Sequence, residues 1–250
     1  MEFVLGFLIA VAIGITGVGA GIITAPVLIL FFHMQPAHAV GTALAFGVAV
    51  KLLVVPLQLY RKQVNFRVLG YMLAGGLPGV IVGSVLLAKL NTPGRQGILY
   101  ATLGSTIVLM AAVNLYRLWL RPAYKPVHDR SRWLPLITLP IGAEVGFSSA
   151  GAGALGSLVL LAITPLTAAE VVGTDLFFGL CVALVGSGFQ LTAGNYDSLI
   201  LTRLIIGGLL GAVAGTYLAT IAPQRVFRAA LSVWLISLGI QLCWNGVSRW

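Results

Sequence analysis

Apolar residues run in eight blocks along the chain, at about 3–32, 38–59, 68–88, 97–116, 134–163, 168–193, 199–221 and 227–247. Within each block they are continuous rather than alternating with polar ones. Blocks of about 20 apolar residues predict membrane-spanning helices, whereas a membrane strand would alternate. The longest polar stretch, Arg117 to Trp133, divides the chain nearly in half. Blocks one and five are too long for one ordinary span and are interrupted by small residues. The interruptions are Gly14-Ile-Thr-Gly-Val-Gly-Ala-Gly21 and Gly146-Phe-Ser-Ser-Ala-Gly-Ala-Gly153. Glycine at this density disfavours a continuous helix, so each block is either a broken spanning helix or a hairpin of two half-helices.

The two halves repeat. Sliding the chain by 132 positions brings Gly19-Ala20-Gly21 onto Gly151-Ala152-Gly153 and Gly41-Thr42 onto Gly173-Thr174. Gln58 falls on Gln190, and Gly75, Gly76, Gly79 and Gly83 fall on Gly207, Gly208, Gly211 and Gly215. About 23 of 75 positions from 14 to 88 are identical. Shared apolar composition would give about a third of that, so the pattern is read as an internal duplication. The predicted organisation is a first transmembrane repeat over 1–116, a cytoplasmic linker over 117–133 and a second repeat over 134–250. The expected fold class is an all-α integral membrane protein with a duplicated four-segment repeat and broken first and fifth segments. Duplicated bundles of this kind are typical of transporters, with the site at the repeat interface near the midplane.

Composition sharpens this picture. Of 250 residues 59% are hydrophobic and 8% charged, too few charges to cover a soluble domain of this size. The net charge of +9 is spread over separate short loops, which argues against a nucleic-acid partner. Eight segments leave no room for a conventional soluble enzyme domain. No GxxxxGK[ST] is present for ATP, no HExxH, and no CxxC or His/Cys cluster that suggests a metal or cofactor. Cys181 and Cys243 fall inside apolar runs and read as small buried hydrophobes.

Loop charge does not choose between spanning and hairpin forms. Either way ten basic residues fall on one face and four on the other. In both, the loops at Arg61–Arg67 and Arg117–Arg132 are cytoplasmic. The hairpin form makes the repeats inverted, with both ends outside, and half-helices of about 13 residues reach the midplane.

Polar residues inside the apolar blocks are the candidates for chemistry. Lys51 lies midway along the second block, where a charge is costly and marks a pathway or an ion pair. Its counterpart is Ala183. Glu144 and Asp175 are the intramembrane acids, read as proton-coupling groups or partners for Lys51, with a helix-start role open for Asp175. Thr42, Thr174, Ser148 and Ser149 are candidate anion ligands, since hydroxyls and half-helix N-termini offer donors without a cation. Gly19, Gly21, Gly151 and Gly153 would let backbone N–H groups approach an anion. Gln58 and Gln190 either line the path or join helices. His38 and Glu170 read as helix-start residues.

The Gly17-Val-Gly-Ala-Gly21 run followed by Pro26-Val-Leu resembles the sulfite exporter TauE/SafE family of bacterial membrane proteins. So do Ala39-Val-Gly-Thr-Ala-Leu44, Gly75-Gly-Leu-Pro-Gly79 and the second-copy Val172-Gly-Thr-Asp-Leu176. The resemblance extends from about residue 3 to 245. It implies a multi-pass protein of the cell inner membrane that moves sulfite, sulfonates or related anions. The expected partners are a small anion and membrane lipid, with a homo-oligomer left open, no cofactor and no enzymatic activity. The rival reading is a membrane scaffold or assembly factor that uses its glycine faces for packing and carries no substrate.

Overall fold

The computed structural model describes residues 2–16, 19–119, 129–151, 153, 155–218 and 224–247. They form ten α-helices: α1 Glu2–Thr16, α2 Ala20–Phe31, α3 Pro36–Tyr60, α4 Phe66–Leu90, α5 Gln96–Trp119, α6 Leu134–Ser148, α7 Leu155–Ile163, α8 Ala168–Thr192, α9 Ser198–Leu218 and α10 Gln224–Val247. Six of them, α3, α4, α5, α8, α9 and α10, are long and apolar enough to cross a membrane. The helices satisfy their own backbone polar groups, as lipid requires. The starts of α4 and α8 carry side-chain caps. Asn65 accepts from the Val68 N–H at 3.1 Å, and Thr167 and Glu170 form a reciprocal capping box ahead of α8.

The four short helices have 15, 12, 15 and 9 residues. At about 1.5 Å per residue none crosses a core of about 30 Å. Each pair turns back on itself. The Arg130 N–H donates to the Ile163 carbonyl at 3.0 Å, so α7 ends on the face where α6 began. The first pair enters from the opposite face. Glu2, at the start of α1, pairs with Arg203 at 3.2 Å near the start of α9. The four-residue link after α2 leads into α3, whose Thr42 hydroxyl accepts from the Asp197 N–H ahead of α9. Both broken segments are therefore hairpins, and the alternative of a broken spanning helix does not hold.

Glycine sets how closely the hairpins lie against the bundle. Cβ atoms at Gly75, Gly79 and Gly83 of α4 would overlap the carbonyl oxygens of Pro135, Leu139 and Ala143 on α6. At Gly207 and Gly211 of α9 they would overlap those of Phe3 and Phe7 on α1, and at Gly215 they would crowd Val11. The four-residue spacing puts each trio on one helix face, which allows near backbone-to-backbone approach. Both pairs run parallel. In the centre α3 and α8 cross antiparallel, with Gly41 against the Asn195 carbonyl and Gly173 against that of Gln63. The Phe46 ring fills the seat beside Gly208, and the Phe178 ring the seat beside Gly76. Every one of these contacts recurs when both partners are advanced or set back by 132. Such reciprocal contacts are those of a two-fold axis. Because the hairpins enter from opposite faces, the axis lies in the plane of the bundle's mid-section.

Of the linker, 117–119 end α5 and 129–133 are described. Its Arg121 and Lys125 lie outside the described residues. Asp129 accepts from the Ser131 N–H at 3.0 Å, and that bond holds its carboxyl below the ordinary range.

Candidate functional site

The tips of the two hairpins lie side by side. Gly21, in the first turn of α2, packs directly on the Ser149 carbonyl and hydroxyl. Ser149 has φ 63°, and Gly151 and Gly153 have φ 91° and 93°, so the second tip takes left-handed backbone at three positions, two of them glycines, which adopt it without strain. Ser148 stitches this tip together. Its hydroxyl donates to Glu144 Oε1 at 2.6 Å and accepts from the Ala150 N–H at 3.1 Å. The first tip is described from Gly19, whereas Gly17 and Val18 lie outside the described residues.

A cavity of about 230 Å³ adjoins both tips. Gly14 and Gly19 wall it from the first hairpin and Gly153 from the second. Lys51, Val54 and Gln58 contribute from α3, Val172, Asp175 and Leu176 from α8, and Ala212 from α9. A second, much smaller void of about 10 Å³ lies against Gly19, Gly21, Ser149, Lys51 and Ala183. Lys51 reaches both.

Lys51 owes its position to the crossing of α3 and α8. Its ammonium donates to the Gly179 carbonyl at 3.0 Å, and Asp175, one turn earlier on α8, acts on it electrostatically. That hydrogen bond uses one of three ammonium donors. The pseudo-two-fold axis passes close by, since Lys51 and its counterpart Ala183 wall the same small void. Two lysines that close to an axis would face each other as like charges, which accounts for a cation in one copy only. Asp175 is 4% exposed and rests against Gly156. The first copy has Ala43 and Thr24 at the matching positions. A larger side chain at one place thus goes with a smaller one at the other, a pairing visible in the sequence once the halves are aligned.

Gly19, Gly21, Lys51, Ser149, Gly153 and Asp175 therefore converge on one region. Gly151 and Ser148 do not line the cavity, because Gly151 packs toward the Glu144 side chain and Ser148 is bound to it. Glu144 also lies outside the cavity wall, hydrogen-bonded to Ser148 and Thr106. The candidate ligands Thr42 and Thr174 are not among the residues that wall the cavity. Thr42 accepts from the Asp197 N–H at 3.2 Å and Thr174 from the Asn65 N–H at 3.0 Å. These bonds secure the turns before α9 and α4, at opposite faces of the bundle. Gln58 lines the cavity, but Gln190 is buried and accepts from the Asn195 amide at 2.9 Å.

The sequence profile of the family described as sulfite exporter TauE/SafE matches residues 2–242. Among curated proteins the chain is similar to the probable membrane transporter protein YjnA of Bacillus subtilis (strain 168). The two are 25% identical over 249 residues, covering 95% of this chain and 97% of the relative. It is also similar to the probable membrane transporter protein YdhB of the same organism, at 26% identity over 229 residues, 90% of this chain and 92% of the relative. No solved structure matches the chain.

Proposed function

The chain belongs to the sulfite exporter TauE/SafE family of multi-pass membrane proteins, and from that premise we propose that it is a secondary transporter moving a small sulfur-containing oxyanion across the bacterial inner membrane. The observation that carries this reading is Lys51, a cation at the centre of the bundle that walls a cavity shared by both hairpin tips. An anion there would meet the ammonium, the backbone around Gly19 and Gly153, and the Gln58 amide. Lys51 presents a point charge with rotatable donors, suited to an ion with several equivalent oxygens. Asp175, beside Lys51, is the nearer of the two acids that could carry a coupling proton. Glu144 is the other, acting on the tip through Ser148.

The test is thermal stability of purified protein against sulfite, thiosulfate, a sulfonate and chloride. A ligand at 100 times its Kd stabilises by about 2.7 kcal/mol. The parent should melt higher with a sulfur oxyanion than with chloride, and Lys51→Ala should remove that rise while its melting point without the anion stays near the parent's. No anion-specific rise in the parent, or an unchanged rise in Lys51→Ala, overturns the assignment.

A further inference from the structure

Positions 132 residues apart hold equivalent places in the two halves, yet the cavity has no equivalent packing across the axis. Toward the Arg61 face it is walled by Val54, Gln58, Val172, Leu176 and Ala212. Their counterparts are Gly186, Gln190, Val40, Leu44 and Val80, and these are packed together. Val40 is 0% exposed where Val172 is 49%. A Cβ at Gly186 would lie 3.0 Å from Val80 Cγ2 and 3.3 Å from Leu44 Cδ1, so these side chains close over the glycine. The open half has valine at that seat, with Leu176 and the smaller Ala212 as its counterpart neighbours.

Gln190 adds a second, independent observation. It is 0% exposed, and its Nε2 has no hydrogen-bond partner among the described residues, as is also true of the Gln58 Oε1. A buried donor left unsatisfied is costly, and access to water would satisfy it. Its counterpart Gln58 stands in the cavity wall.

We propose that Leu44, Val80 and Gly186 form a gate, and that the packed region from this gate to Gln190 is a second vestibule. It opens to the face opposite Arg61 when the two halves exchange their conformations. The exchange brings Gln190 to water and closes Leu176 and Ala212 over Val54. Lys51, beside the axis, stays accessible from either vestibule in turn. The glycine at 186 and the valine at 54 bias the molecule toward the state seen. This deepens the transport reading and rests on it for its purpose, but its geometry can be tested without an anion.

Single cysteines placed by Gln58→Cys, Leu44→Cys and Gln190→Cys, in a background with Cys181→Ala and Cys243→Ala, would be labelled with a membrane-impermeant thiol reagent. Sealed vesicles of both orientations would be used. Gln58→Cys should react from the Arg61 face, and Leu44→Cys and Gln190→Cys more slowly and from the opposite face. Adding Gly186→Val should raise the opposite-face rates about tenfold, the scale on which overpacking a glycine seat shifts a two-state equilibrium. Val54→Gly, a milder change in a cavity wall, should act in the same direction if Gly186→Val fails to insert. The gate is overturned if Gln190→Cys reacts from the Arg61 face. It is equally overturned if Gln190→Cys stays unreactive from the opposite face in the parent and in both shifted variants. Opposite-face labelling without any anion-dependent stability keeps the gate and removes the transport reading. Anion-dependent stability without such labelling does the reverse.

Discussion

At the scale of single residues, hydroxyls and glycines that look alike in the sequence separate into different tasks. Thr42 and Thr174 each accept from a turn N–H. Replacing either with valine keeps the shape and strands a backbone donor, at a cost of about 1–3 kcal/mol. Thr42→Val and Thr174→Val should therefore lower the melting temperature while leaving the anion concentration for half-maximal stabilisation unchanged. A shifted half-point would return the threonines to the site. Gly19 and Gly151 separate as well. Gly19 has φ −56°, open to any residue, so Gly19→Leu tests obstruction of the cavity. Gly151 has φ 91°, so Gly151→Leu strains the tip whatever its effect on an anion. The two acids are distinguished by neutral substitutions, Glu144→Gln retaining an acceptor for Ser148 and Asp175→Asn one beside Lys51. The carrier of the coupling proton is the one whose substitution abolishes the pH dependence of uptake in proteoliposomes but spares anion-dependent stability. If both variants keep the parent's pH profile, neither acid couples.

At the scale of elements, the bundle is organised by glycine faces against which the hairpins lie. Gly79→Leu or Gly211→Leu drives a side chain into the backbone of α6 or α1. Each should destabilise by about 3 kcal/mol or more and reduce the yield of folded protein. A methyl group on Gly188, on α8, would meet no atom of the described residues within 4 Å, so Gly188→Ala should stabilise by about 0.5–1 kcal/mol. Melting curves of the variants in one detergent check both signs. Much of this level was legible in the sequence, because continuous apolar blocks and coincident glycines are direct consequences of helix length and close approach. The ends of α3, α4, α8 and α9 fall within a few residues of the expected blocks. The choice between hairpin and broken span was not legible, because either path leaves the same number of basic residues on each face. It is decided by contacts between segments distant in sequence, such as Arg130 with Ile163. The same applies at the site. Lys51 stood out as a charge in an apolar block, whereas the true partners of Thr42 and Thr174 lie 155 and 109 residues away.

At the scale of the whole molecule, the hairpins fix which ends share a face. Neither hairpin crosses, so six crossings remain among the described residues, and an even number returns the chain to its starting face. Glu2 lies beside Arg203 on that face, together with the turn before α3 and the end of α10. Among the described residues, the opposite face takes Arg61, Lys62, Arg67, Arg117, Arg130, Arg132, Arg225 and Arg228. Lys89, Arg95 and Arg203 belong to the face of the chain ends. Short loops rich in Lys and Arg are retained in the cytoplasm, so this eight-to-three bias predicts that the Arg61 face is inward. The cavity beside Lys51 then extends toward the cytoplasm, and the packed region at Gln190 toward the outside. Both chain ends should be extracytoplasmic. Trp250 lies outside the described residues, so the fusion point of choice is Val247, at the end of α10. Alkaline phosphatase fused there should be active, and a fluorescent protein that matures only in the cytoplasm should be dark. Both reporters should reverse when fused after Lys62. A fluorescent fusion at Val247 would turn the molecule over in the membrane. Lys51 would then face outward in the present state, and any uptake or export assigned to the cavity would change direction with it.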